Sequence, residues 1–109
     1  MRSATEFNEA VDTLFGQVVE IIDTTEAADD IELNQGVLEI TCVNRSKIII
    51  NRHAPTQEVW VAAKSGGYHF KWADGTWTDT RSGEALSDAI SRVLFEQSGI
   101  RVAFDQASM

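Results

Sequence analysis

The stretch SKIIINRHAPTQEVWVAAKSGGYHF, residues 46–70, decides the fold. Three short runs of it, KIIIN, EVWVA and GYHF, predict β-strands in which every second residue faces inward. Val59 and Val61 of the second run then point into a core. Only short turns separate the runs, which predicts that successive strands are antiparallel neighbours. Pro55 lies between two strands, where its missing N–H removes no ladder hydrogen bond.

The period of two continues on both sides of this stretch. Upstream, IELNQGVLEITC (residues 31–42) predicts a hairpin that turns at residues 34–36. Downstream, a two-residue Asp74-Gly75 turn leads into TWTD (residues 76–79), which predicts another hairpin. The strand side chains assigned to the core are Leu38, Ile40, Cys42, Ile48, Ile50, Tyr68, Phe70 and Trp72.

Helical spacing replaces the period of two at both ends of the chain. Residues 3–24 predict an amphipathic helix in which Ser3 and Glu6 form a capping box. A second helix is predicted to begin near Ser82 as N-cap and to end before Gly99 as C-cap. The order helix, strand meander, helix predicts an α+β fold, a two-layer α–β sandwich with two terminal helices packed on one face of an antiparallel β-sheet.

Composition limits the classes of function. A chain of 109 residues builds one hydrophobic core, so residues 1–109 are predicted to form a single domain. Its net charge of −8 argues against nucleic acid as a partner, because phosphates need a basic surface. The single Cys42 fits a reducing compartment. No apolar run approaches a membrane span and no signal core opens the chain, so a cytoplasmic location is expected.

The negative charge is concentrated in the first part of the chain. Residues 3–44 contain ten Asp and Glu but no Lys, Arg or His, whereas residues 45–109 hold eight bases and seven acids. A helix face that is merely solvated normally interleaves bases, so a binding role is favoured. The acids with the closest spacing, called here the acidic ridge, are Glu20, Asp23, Glu26, Asp29, Asp30 and Glu32.

Exposed carboxylates suit hard cations such as Fe²⁺, Fe³⁺, Mg²⁺ and Ca²⁺. The spacing lacks the alternating ligands and central Gly of a calcium loop, so we expect weak, salt-sensitive binding at several positions. The same charge would attract a basic protein surface, and the pattern does not separate these two readings.

Trp60 is predicted to point away from the core, between the inward Val59 and Val61. Asn51 on the preceding strand faces the same way. A large exposed aromatic beside an Asn is typical of a partner contact. The alternatives are that Trp60 folds down over neighbouring methyl groups or that the register is shifted by one residue.

No catalytic site is predicted. Cys42 lies on the apolar side of its strand and is assigned to the core. His53 is placed in a connection and His69 at an outward strand position, so they are not expected to form a metal pair. No Ser, Cys or Thr has a spacing to a His and an acid that indicates nucleophilic catalysis, and we predict that the chain is not an enzyme.

The chain resembles the bacterial frataxins, the CyaY proteins. The likeness rests on residues 46–70 with Asn-Arg-x-x-Pro and Glu-Val-Trp, and on TEF, NQGVLEIT and DTRSGEAL elsewhere. The resemblance implies a role in iron–sulfur cluster assembly, with iron bound weakly by the acidic ridge. It also implies association with the cysteine desulfurase through the acidic surface and with the scaffold protein through the sheet face. The implied partner contacts are Glu9, Asp12, Asn51 and Trp60.

Two features depart from that family pattern. His53 stands where relatives commonly have Gln, which alters any polar contact made there. The TTEAADD segment, residues 24–30, looks shorter and less acidic than in many relatives. Besides a regulator of cluster assembly that acts as an iron chaperone or sensor, two alternatives stay open: a ferroxidase or iron store, for which no Glu-x-x-His motif exists, and a pure protein-interaction module.

Overall fold

The computed structural model describes residues 3–104. The helices are α1 (Ala4–Asp23) and α2 (Leu86–Ser98), and the strands are β1 (Ala28–Asn34), β2 (Val37–Cys42), β3 (Lys47–His53), β4 (Glu58–Ala63), β5 (Gly66–Ala73) and β6 (Thr76–Asp79). Within this part of the chain the strands form one antiparallel sheet in the order β1-β2-β3-β4-β5-β6. Both helices pack on this sheet, and the predicted α–β sandwich is confirmed. None of the helices described is long and apolar enough to cross a membrane.

The first helix begins with the predicted capping box. The Glu6 N–H donates to Ser3 Oγ at 3.1 Å, and the Ser3 N–H donates to Glu6 Oε1 at 3.0 Å. These two bonds satisfy backbone donors that a helix N-terminus otherwise leaves unpaired. The helix ends at Asp23, and its C-cap is Thr24, whose N–H and hydroxyl both donate to Ile21 O. The prediction of a helix over residues 3–24 is confirmed.

Two tight turns set the register of the meander. Gln35 and Gly36 have φ values of 49° and 84°, and Asp74 and Gly75 have 51° and 83°. Positive φ at both central residues is the mark of two-residue hairpin turns that match the twist of the strands. Both predicted hairpins are therefore confirmed. The first turn consists of residues 35 and 36 rather than the predicted 34–36, because Asn34 still belongs to β1.

The core lies between the sheet and the two helices. The fully enclosed strand residues, each at most 1% exposed, are Leu38, Ile40, Cys42, Ile48, Ile50, Val59, Val61, Phe70 and Trp77. Tyr68 and Trp72 share the face of Phe70 but are only half-buried against this core. Val102 and Phe104 are also buried, so the segment that follows α2 returns to the core.

The second helix starts later than predicted. Its N-cap is Ala85, not Ser82, and it begins at Leu86. The carboxylate of Asp79 accepts hydrogen bonds from the N–H groups of Arg81 and Ser82, at 2.7 and 3.1 Å. This local bonding holds the preceding residues in a turn and competes with helix formation. The predicted end is confirmed, because Gly99 forms the left-handed C-cap with φ 75°.

Two glycine substitutions test the helix geometry. Gly16 lies exposed within α1 with open space where a Cβ would lie, whereas Gly99 has φ +75°. We expect Gly16→Ala to raise the free energy of unfolding by about 0.5–1 kcal/mol, because alanine is the better helix former. Gly99→Ala should lower it by about 1 kcal/mol, because the left-handed conformation disfavours a Cβ. Urea unfolding measures both, and equal signs would contradict the assigned conformations.

Candidate functional site

The acidic ridge follows the end of α1 and the edge strand β1. Glu20 and Asp23 lie in the last part of α1, and Glu26 lies in the connection that follows. Asp29 sits at a β-bulge where the register between β1 and β2 shifts. All six ridge side chains, including Asp30 and Glu32 on β1, are exposed. These six residues, which span thirteen positions of the sequence, therefore lie along one border of the molecule.

The register shows that the ridge wraps around the border of the sheet. Ile31 lies opposite the buried Ile40, so it faces the helix side. Asp30 and Glu32 alternate with Ile31 and therefore face the open side. Since α1 covers the other side, carboxylates occupy both sides of the same edge.

Three ridge acids line a crevice at the border of the sheet, where α1 ends and β1 begins. Asp23, Asp29 and Asp30 line it together with Thr25, and its volume is about 180 Å³. Within residues 3–104, however, no three His, Cys, Asp or Glu side chains converge closely enough to hold a metal ion. The arrangement supplies oxygen donors and negative potential without a closed coordination shell. Which of the six ridge acids contact a cation stays a prediction.

Basic residues from later in the chain neutralise part of the acidic surface. Arg45 Nη1 lies 3.2 Å from Asp29 Oδ2, and Lys47 pairs with Glu39 on β2. The pKa of Lys47 is raised, chiefly by its hydrogen bond to Glu39 and by that charge, and additionally by Glu32 and Asp30. No other ridge acid forms an ion pair among the residues that the structure describes. The ridge therefore keeps most of its charge.

Arg52 joins the first helix to the sheet. Its guanidinium donates to Asn8 Oδ1 at 3.0 Å, pairs with Asp12 and lies 5.7 Å from the ring centroid of Phe15. Asp12, predicted as a partner contact, thus already has a partner within the fold. Glu9, the other predicted contact on α1, is exposed. Neither predicted role is tested by these positions.

Trp60 points away from the core, as predicted, but both faces of its indole are covered. The His53 ring stacks on one face at 3.9 Å between centroids and the His69 ring on the other at 4.3 Å. Trp60 Nε1 donates to Glu58 Oε1 at 2.7 Å. Asn51 lies directly opposite Trp60 on β3. The outward register is confirmed, and the indole is half-buried by its polar neighbours.

The hydrogen bonds around Trp60 also set the ionisation of Glu58. Burial alone would raise its pKa, but hydrogen bonds from Trp60 and Thr56 outweigh burial and hold the pKa below its ordinary value. The indole is therefore held by a carboxylate that stays ionised to lower pH than a free Glu.

The sequence pattern did not predict the stack on Trp60, and the predicted placement of His53 is wrong. His53 ends β3 and shares a hydrogen bond of 2.7 Å with Thr56 Oγ1, so it does not lie in the connection. Strand register alone could have predicted the contact between His69 and Trp60, since His69 lies directly across from Trp60 on β5. The contact of His53 depends on a diagonal neighbour two residues away, which alternation alone does not reveal.

Cys42 belongs to the core, as predicted. It is fully buried, and burial raises the pKa of its thiol. Gln97 of α2 closes this region, donating to Ser46 Oγ at 2.9 Å and accepting from the Lys64 N–H at 2.9 Å. A thiol in such surroundings is a poor nucleophile.

A larger cavity of about 670 Å³ lies beyond His69, toward the start of α2. It is lined in part by Tyr68, Glu84 and Arg92. The Arg92 guanidinium is occupied by two bonds to Glu84, at 3.0 and 3.2 Å, and lies 5.0 Å from the Tyr68 ring centroid. Because these groups satisfy each other, this cavity is a weaker candidate than the ridge.

Comparison with known proteins shows the family of the chain. The profile of the frataxin-like domain matches residues 1–100. The chain belongs to the frataxin family. A relative in Tolumonas auensis, named iron–sulfur cluster assembly protein CyaY, is 42% identical over 97 residues, which is 89% of this chain and 93% of that protein.

Solved frataxin structures show the same fold. The frataxin of Psychromonas ingrahamii superposes with a TM-score of 0.89 at 32% identity, covering 96% of this chain and 100% of that one. The trimeric frataxin of the yeast Saccharomyces cerevisiae, complexed with ferrous iron, gives a TM-score of 0.70 at 22% identity, over 92% of this chain and 89% of that one. The yeast similarity concerns the fold alone.

Two arginines that pair with acids in this frataxin should differ in their structural importance. The Arg52 side chain is 20% exposed and that of Arg45 is 79% exposed. We expect Arg52→Ala to lower the free energy of unfolding by about 1–3 kcal/mol, because Asn8 and Asp12 lose a charged donor. Arg45→Ala should change it by less than about 0.5 kcal/mol. Urea unfolding compares them, and an equal loss would contradict the bridging role of Arg52.

Proposed function

We propose that this frataxin binds iron loosely as cargo and regulates iron–sulfur cluster assembly by docking its acidic ridge on the cysteine desulfurase. The observation that carries this proposal is the exposed ridge, in which only Asp29 forms an ion pair within residues 3–104. Such a surface attracts cations and basic proteins. The name of the Tolumonas auensis relative supports the cluster-assembly setting.

The character of the ridge supports transient iron binding. Its donors are carboxylate oxygens, which are hard ligands suited to Fe²⁺ and Fe³⁺. Because the described residues lack a convergent group of three donors, the ion keeps much of its water and leaves readily. A carrier or sensor requires such reversibility. A ferroxidase would need a site that holds iron during electron transfer.

The open face of the sheet supports a second contact, with the scaffold protein. Trp60 and Asn51 occupy neighbouring strands on that face, and the His53 and His69 rings fix the indole in place. β4 is the third strand from β1, so these two strands lie about 14 Å apart across the sheet. One partner assembly could therefore engage the ridge and Trp60 together.

The remaining elements of the proposal concern setting and chemistry. We place the protein in the cytoplasm, acting as one domain over residues 1–109 and without catalysing a reaction. The pure interaction module stays as a second candidate, because the absence of a convergent donor group in residues 3–104 also fits a surface that binds proteins alone.

Neutralising the ridge should weaken desulfurase binding. We expect Glu20→Gln combined with Asp23→Asn to lower the affinity several-fold at low ionic strength, and the difference should shrink as salt screens the charges over about 10 Å or less. The matched control is Asp74→Asn combined with Asp88→Asn, which removes two exposed acids outside the ridge. Biolayer interferometry with the cysteine desulfurase at two salt concentrations measures both variants. Equal affinities for wild type and ridge variant would contradict the docking proposal.

Cation binding should raise the thermal midpoint. A cation present at its own Kd stabilises the folded chain by about 0.4 kcal/mol, which raises Tm by about 2–3 °C in a domain of this size. Anaerobic Fe²⁺, Mg²⁺ and Ca²⁺ should each produce such a shift, and the ridge variant should reduce it. No shift at any accessible concentration would favour the pure interaction module. Saturable, catalytic Fe²⁺ oxidation on admitting air would favour the ferroxidase.

A further inference from the structure

The free edge of β1 presents a defined set of backbone groups. Among residues 3–104, β1 is hydrogen-bonded to β2 alone. The Arg52 N–H donates to Gly36 O at 3.0 Å, which makes the opposed Val37 and Asn51 a non-hydrogen-bonded pair of β2 and β3. The backbone N–H and C=O of Val37 therefore point toward β1, where Asn34 is the opposed residue.

Alternation then assigns the other backbone groups of β1. Glu32, two residues before Asn34, also directs its N–H and C=O at β2. The N–H and C=O groups of Ile31 and Leu33 consequently point away from the sheet. They form a row on the open edge, in the geometry that an added strand requires.

The side chains of the same two residues are incompletely covered. Ile31 and Leu33 lie opposite Ile40 and Leu38 on the helix side of the sheet. Both β2 residues are fully buried, whereas Ile31 is half-buried and Leu33 is 54% exposed. The helix layer thus ends over β1, and apolar side chains from a further strand would complete the cover.

The acidic side chains of Asp30 and Glu32 determine which kind of strand can pair with the free edge of β1. Asp30 and Glu32 are exposed and form no ion pair in the described residues. Two β1 strands from two copies would bring these carboxylates together, and like charges on neighbouring strands are destabilising. The same acids would stabilise a basic strand. The edge therefore rejects self-association and favours a cationic partner.

We propose that the open edge of β1 binds an extended segment of a partner protein, as an added strand in which Lys or Arg alternates with apolar residues. The basic side chains lie beside Asp30 and Glu32, and the apolar ones cover Ile31 and Leu33. This inference rests on the proposed docking of a basic partner on the acidic ridge, and it specifies the conformation of what docks.

Two synthetic peptides of equal composition test the inference. The probe is acetyl-KVKVKVK-amide, and the control is the rearranged acetyl-KKVVVKK-amide, which has the same charge without the alternation. Titration into the full-length chain, followed by calorimetry, should show at least about fivefold tighter binding of the alternating peptide, because only it makes backbone bonds and apolar contacts together. Equal affinities would overturn the inference.

Methylation of peptide amides provides a test that leaves the protein unchanged. One version of the alternating peptide carries N-methyl groups on its Val residues, and another carries them on three Lys residues. In an added strand only one alternate set of amides faces β1, so only one version should lose binding, by about fivefold or more. Loss with Val indicates antiparallel pairing, and loss with Lys indicates parallel pairing. Equal behaviour of both versions would overturn the inference.

A substitution in the protein tests the same edge. Leu33→Pro removes the outward N–H while leaving the β1–β2 ladder intact, as proline does on edge strands. Leu33→Thr is the matched control, because it shortens the side chain and keeps the N–H. We expect the first variant to bind the alternating peptide about threefold or more weakly than the second, with equal binding of the rearranged peptide. Equal binding of the alternating peptide would count against strand addition.

A variant without the two charges separates this inference from the proposed function. Asp30→Asn combined with Glu32→Gln should weaken both peptides. If neither peptide is weakened, the acidic surface does not attract cationic partners and the proposed function fails with the inference. If both are weakened but sequence order and methylation have no effect, only strand addition fails. A dimer of the chain alone that Leu33→Pro abolishes would show self-pairing and overturn the inference.

Discussion

The packing of α1 and α2 on the same side of the sheet is the constraint on which every surface of this frataxin depends. It buries alternate residues of the central strands and leaves the intervening residues on the open face, which is why Trp60 and Asn51 face outward. It also leaves β1 at the margin of the helix layer, with Leu33 uncovered while its partner Leu38 is fully buried. A helix on each face would have hidden Trp60.

The core makes the concentrated negative charge tolerable. Like charges three or four residues apart on a helix cost about 0.2–0.5 kcal/mol per pair, as for Glu20 and Asp23. Each large apolar side chain that α1 buries, such as Phe7 or Phe15, contributes about 1.5–3 kcal/mol. The hydrophobic term therefore wins along this helix. Repulsion at the ridge is a small cost, which the proposed cation or basic partner would remove.

The open face of the sheet combines order with accessibility. The indole of Trp60 is held by two stacked imidazoles and by Glu58, so a partner that bound there would cost the side chain little entropy. The ridge differs, because within residues 3–104 only Asp29 of its six exposed carboxylates forms an ion pair. One region is suited to a specific contact, and the other to attraction at longer range that depends on salt.

The sequence by itself determined the fold class, the inward residues of the strands and the unusual run of acids, because periodicity and composition are local properties of the chain. Tertiary structure decided which acids are neutralised. Arg45, in the turn before β3, pairs with Asp29 across 16 residues of sequence. Arg52, on β3, pairs with Asp12 across 40 residues. Tertiary structure likewise decided that His53 reaches Trp60, because a diagonal contact depends on strand register and on side-chain rotamers. The start of α2 also depends on the sheet, since Ala85 pairs with Thr78 of β6 and stays extended, so the helix begins only at Leu86.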